Sequence, residues 1–228
     1  RQTGAAPGFP QAERLFLAES LRWVTSAELV DRPLAEAAGE ALAGDATLVV
    51  RAEDDETALR AVTAAQGIPV HAVAPDDRVG FPVHEPEPLP ADAETVIVTG
   101  CFDWVHSGHV RFFMDASAYG PLYVVVGSDR NVRLLKGEGH PLQSEDERRY
   151  MVGSMKPVYR CLVSTGSGWM DAEPEIDRLK PTYYVVNEDG DKPEKREFCA
   201  AHGLRYTVLK RVPHEGLPAR SSTDLRGF

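Results

Sequence analysis

At 228 residues, 43% hydrophobic and 26% charged, the chain can bury one sizeable core and still carry a smaller second unit. Its net charge of −10 makes nucleic acid a poor partner, and no apolar run is long enough to cross a bilayer, so no membrane insertion is expected. The acidity is uneven: residues 1–90 hold 7 Lys/Arg against 15 Asp/Glu, residues 91–228 hold 18 against 20.

In chain order, Gln11 to Val24 and Pro33 to Leu42 are rich in Ala, Leu and Glu and read as helices, the second entered through Asp31 and Pro33. Thr47 to Val50 reads as a strand, Glu56 to Ala65 as a helix stopped by Gly67, and Pro69 to Val73 as a strand. Residues 1–74 thus form a small α/β accessory piece. It holds no nucleophile–base pair, no glycine loop and no metal spacing, so a packing or dimerising role is expected, and a chain starting near Ala91 should still bind nucleotide. Residues 75–91 turn to Pro, Asp and Glu and read as a linker.

From residue 92 to 228 strands and helices alternate. Strands are expected at Thr95–Thr99, Leu122–Val126, Cys161–Ser164, Tyr183–Val186 and Tyr206–Leu209. Helices are expected at Ser107–Tyr119, Gln143–Met155, Glu173–Leu179 and Pro193–His202. The pattern predicts a Rossmann-like, doubly wound, five-stranded parallel sheet with ligands at the carboxyl ends of the strands. The three cysteines, Cys101, Cys161 and Cys199, are scattered; that argues against disulfides or zinc and suits a reducing cytoplasm. The chain opens on Arg1 with no signal-peptide pattern, and further residues upstream are expected.

Three clusters carry chemistry. His106 and His109 flank Gly108 at the start of a helix, directly after a strand. Gly108 gives a phosphate room to approach, and the helix N-terminus adds free N–H groups and positive potential. Two imidazoles there can hydrogen-bond a pentavalent phosphorus and the departing oxygen; capping or core histidines are the plainer alternative. Lys136, in a Gly-rich loop, and Arg148, on the next helix, can bring an ammonium and a guanidinium to phosphates. Near the C-terminus, Lys210-Arg211 is followed by Arg220, then Ser221, Ser222 and Thr223, at an expected helix start suited to phosphate oxygens.

Together these residues resemble the cytidylyltransferase family of the H-x-G-H nucleotidyltransferase superfamily. GCFDWVHSGHV matches the G-x-F-D-x-x-H-x-G-H signature, which places Gly100, Cys101, Phe102, Asp103 and Gly108 beside the histidines. Lys136-Gly137, Pro141 and Glu147-Arg148 stand at the family's K-G, P and E-R positions, and KR…SSTDL resembles its last segment. Asn187 and Asp189 stand where the family has Gly-Asp or Gly-Asn. Gly-Cys-Phe-Asp is also similar to the ATP-using heptose-phosphate nucleotidyltransferases, and Ser-Ser-Thr to adenylyltransferases.

The resemblance implies transfer of a nucleoside monophosphate to a small phosphorylated alcohol or sugar phosphate, with CTP favoured over ATP. Mg²⁺ would be carried mainly by the nucleotide rather than by protein ligands, and a homodimer is expected. His106, His109, Lys136 and Arg211 are the expected catalytic groups, with Arg220 the alternative to Arg211. A non-catalytic nucleotide sensor is the rival outside enzymes.

Overall fold

The computed structural model describes residues 8–29, 31, 47–52, 57–65 and 67–222; the helix expected at Pro33–Leu42 and the candidate Thr223 lie outside them. The chain divides into two compact units, one of residues 1–6 and 28–80, the other of 7–27 and 81–228.

In the first unit, strand β1 (Leu48–Arg51), helix α2 (Thr57–Ala65) and strand β2 (Val70–Val73) make one right-sized crossover with the strands parallel. Ile68 and Thr63 are its buried side chains among those described.

The second unit opens with helix α1 (Gln11–Glu19) and continues with β3 (Val96–Gly100), α3 (Ser107–Ser117), β4 (Leu122–Val126), α4 (Asp129–Lys136) and α5 (Glu145–Gly153). It ends with β5 (Val158–Val163), α6 (Glu173–Leu179), β6 (Tyr183–Asn187), α7 (Pro193–Ala201) and β7 (Arg205–Leu209). The five strands are parallel in the order β5-β4-β3-β6-β7, as the alternation predicts. Side chains of a strand alternate between faces, and both faces here are apolar. Val96, Val98, Leu122, Val124 and Val126 join one core, with Val110, Phe113 and Val152 of the overlying helices. Ile97, Val125, Tyr184 and Val186 join the other, with Ile176 and Cys199. Two covered faces are the condition for a parallel sheet.

Two boundaries differ from the sequence reading. Helix α1, read there as part of the accessory piece, belongs to the second unit: Phe16, Leu17 and Leu21 pack against the first core, and the Arg22 guanidinium donates to the carbonyls of Gly153 and Val158. Nor is the whole Pro/acidic stretch a free linker. From Phe81 on it belongs to the second unit, held by an ion pair between Glu85 and Arg160 at 2.7 Å and by the Tyr159 hydroxyl donating to the Glu87 carbonyl. These ties bridge positions far apart in sequence, so local composition gives no sign of them.

The sheet reverses its strand order between β3 and β6. There it also opens: β3 pairs with β4 over five residues but with β6 only through Val96–Tyr183 and Ile97–Tyr184. Beyond that point the carboxyl ends of β3 and β6 part, leaving a crevice where such sheets bind ligands.

Candidate active site

The turn leaving β3 is tightly constrained. Phe102 and Trp104 have φ of +49° and +65°, a region that costs bulky residues about 1–3 kcal/mol and occurs mainly at functional turns. Phe102 is held there by edge contacts to His109 and Phe113. Asp103 is buried, and its carboxylate accepts from the backbone N–H of Leu142 and Gln143 at 2.8 and 3.0 Å. It therefore braces the segment leading into α5.

His106 caps α3. Its Nδ1 accepts from the N–H of Gly108 at 3.1 Å; in the neutral ring this assigns the proton to Nε2, which lies 3.5 Å from Ser222 Oγ. A side chain at Gly108 would meet the His106 ring at 3.0 Å and the Arg220 carbonyl at 3.5 Å. Glycine there makes room for the histidine as much as for a ligand. The His106 and His109 rings stack with centroids 3.9 Å apart, so the capping role and the paired geometry coexist. Nδ1 of His109 is buried without a hydrogen-bond partner among the described residues. Burial, then the neighbouring His106, Arg211 and Lys136, hold the His109 imidazole well below its usual range, so it is neutral at pH 7.

The pair faces a cavity of about 310 Å³ in the crevice, lined also by Thr99, Val185, Asn187, Asp189, Lys195, Arg211 and Ser221–Ser222. That size fits a small-molecule site, ~300–1,000 Å³. Arg211 Nη1 donates to Asp189 at 2.6 Å and Nη2 to the Arg220 carbonyl at 2.5 Å, which fixes the guanidinium at the cavity wall. Asp189 is thereby paired with a cation. Among the described residues no group of three or more His, Cys, Asp or Glu is arranged so that it could hold a metal ion.

Other expected site residues lie elsewhere. Arg148 is corrected from phosphate ligand to backbone staple: it is fully buried, and its guanidinium donates to the carbonyls of Cys101, Gly127 and Gln143 and to Asp129. Arg220 directs its guanidinium to Glu13, at 2.8 and 3.0 Å, rather than into the cavity between the histidines and Arg211. Lys136 is exposed at the end of α4, acting on His109 through charge. Gly100 and Cys101 supply backbone, Cys101 through the carbonyl that Arg148 binds.

Lys195 was not singled out from the sequence. Its amine lines the cavity, and burial followed by Lys192 lowers its pKa. In DKPEKR it reads as one charge among several on a solvated turn; its position in the first turn of the helix following a central strand is the signal available. Helix α4 was missed as well, because its eight residues (DRNVRLLK) carry only Val and Leu as apolar groups, although Ser128 caps it by accepting from Asn131 N–H.

Residues 97–227 match the family model described as cytidylyltransferase-like. An FAD synthase of Aciduliprofundum boonei is 36% identical over 135 residues, covering 58% of this chain and 83% of that protein. The bifunctional protein HldE of Geobacter sulfurreducens is 39% identical over 133 residues, 57% of this chain but 26% of that longer protein. A solved lipopolysaccharide core biosynthesis protein from Thermoplasma volcanium is 21% identical, with a TM-score of 0.45 over 54% of this chain and 99% of its own. With its H-x-G-H turn, parallel sheet and matched family model, the chain belongs to the cytidylyltransferase-like family and is a nucleotidyltransferase.

Proposed function

We propose that the protein transfers an adenylyl group from ATP to a small phosphorylated acceptor and releases pyrophosphate. The observation that carries transfer is the stacked His106–His109 pair at the N-terminus of α3, across the crevice from Arg211. An acceptor phosphate oxygen attacks the α-phosphorus, forming a new P–O bond as the bond to the bridging oxygen breaks and pyrophosphate leaves. His106 Nε2–H and the neutral His109 ring stabilise the charge that builds on the equatorial and leaving oxygens, and Arg211 holds the pyrophosphate. Lys195 and the Ser221–Ser222 segment add further donors, and direct in-line transfer needs no covalent intermediate on any of them. Mg²⁺, carried by the triphosphate, would neutralise phosphate charge.

ATP is preferred over the CTP expected from the sequence for two reasons. The relatives include FAD synthases, and FAD is an adenylyl compound. The K-G and E-R positions that suggested CTP are base-blind here, since Lys136 is exposed and Arg148 is a buried staple. A pyrophosphate-release screen of ATP and CTP against phosphorylated acceptors, flavin mononucleotide and sugar phosphates included, tests this. ATP should support release at least about tenfold faster, ~1.4 kcal/mol in barrier. Faster release with CTP would return the protein to cytidylyl transfer.

A further inference from the structure

Glu13, on α1, is fully buried, and its carboxylate joins two parts of the site. Oε1 accepts from the hydroxyl of Ser107, the residue between His106 and Gly108, at 2.6 Å. Oε2 accepts from Nε and Nη2 of Arg220 at 3.0 and 2.8 Å. The Arg220 carbonyl in turn accepts from Arg211, and it lies against Gly108. One side chain thus connects the start of α3 to the C-terminal segment, across 94 and 207 positions of sequence.

Docking α1 does not call for a carboxylate. Phe16, Leu17 and Leu21 already provide apolar contact, and a buried ion pair commonly stabilises no better than apolar side chains of the same volume. What it does provide is direction, since each oxygen accepts only along its own lone pairs. Resting on the transfer reading above, we propose that Glu13 is a positioning residue: it seats the N-terminus of α3 and, through Arg220, aims Arg211 at the departing pyrophosphate.

The test uses the full chain with the best nucleotide–acceptor pair from the screen, and compares Glu13→Gln, Arg220→Gln and the double variant. Glu13→Gln keeps the shape and loses the charge. Turnover at saturating substrate should fall about tenfold, in line with the cost of small misplacements, while the nucleotide KM stays within about threefold and Tm within a few degrees. Because the two residues act as one unit, the double variant should be no slower than the slower single one. Unchanged kcat in folded Glu13→Gln, or losses that multiply in the double variant, overturns the proposal. If Glu13→Gln does not fold, Arg220→Gln alone carries the same kcat criterion.

Amide exchange supplies a readout independent of turnover. The amides of residues 219–222 should exchange at least about tenfold faster in either single variant while β4 is unchanged; equal exchange also overturns the proposal. A wild-type protein that releases no pyrophosphate with any pair defeats the transfer reading instead, and the exchange arm then decides Glu13 by itself.

Discussion

His106 and His109 are three residues apart, and their stacked rings act as one surface toward a phosphate. Replacing either by Ala should lower turnover by about 10²–10³-fold, the usual loss for a preorganised donor, with the far-ultraviolet spectrum unchanged; pyrophosphate release measures it. The neutral state of His109 has a second consequence. Its folded-state pKa lies below the ordinary 6.5, so the unfolded chain takes up the proton more readily. The stability this neutral ring contributes is whole above about pH 6.5 and is lost as pH falls from there toward the folded-state value. Melting temperature should therefore drop on going from pH 7 to pH 5, and the drop should be shallower in His109→Gln. Arg148 makes a contrasting case. Arg148→Met leaves three carbonyls and a carboxylate without their buried donor and should cost about 3 kcal/mol or more in urea unfolding, whereas Arg211→Ala should chiefly slow turnover. From sequence these two arginines look alike, because a guanidinium serves a phosphate and a backbone carbonyl with the same N–H groups; burial is what separates them, and burial depends on the whole fold.

Among the elements, the alternation of strand and helix after residue 92 was readable, since buried parallel strands leave apolar runs such as VIVTG and LYVVV and the intervening helices end at Gly or Pro. Helix α1 was readable as a helix, but its destination was not. Nothing local in QAERLFLAE tells that Phe16 and Leu17 cover the first core or that Glu13 meets Ser107. The expectation that a chain starting near Ala91 would still bind nucleotide takes no account of this packing. Without α1 that chain exposes part of the core once covered by Phe16, Leu17 and Leu21, a loss of roughly 2–4 kcal/mol for three half-buried side chains, and Arg220 loses its carboxylate. Denaturant titration of the shortened chain should show the loss of stability, and its turnover should fall at least as far as that of Glu13→Gln. Full activity and stability in the shortened chain would remove α1 from any part in the site.

For the whole second unit, the narrow seam between β3 and β6 has a mechanical consequence. Backbone pairing across the centre of the sheet stops after Ile97 and Tyr184, with one side-chain hydrogen bond beyond it, Thr99 to the Tyr184 hydroxyl at 2.7 Å. The sheet is thus two wings sharing a short spine, and the groups expected to bind nucleotide are divided between them. The histidines and Thr99 ride on one wing; Asn187, Lys195 and Arg211 ride on the other. A triphosphate held by both acts as a rivet across the spine. Bound nucleotide at a hundred times its Kd should stabilise the folded protein by about 2.7 kcal/mol, and the protection should be distributed unevenly. Amides at the carboxyl ends of β3 and β6, from Val98 to Gly100 and from Val185 to Asn187, should slow far more than those of β4, which is already laced to both of its neighbours. Slowing confined to the end of β3 or to that of β6 would mean that the ligand rests on one wing alone, and uniform slowing along all five strands would remove the rivet.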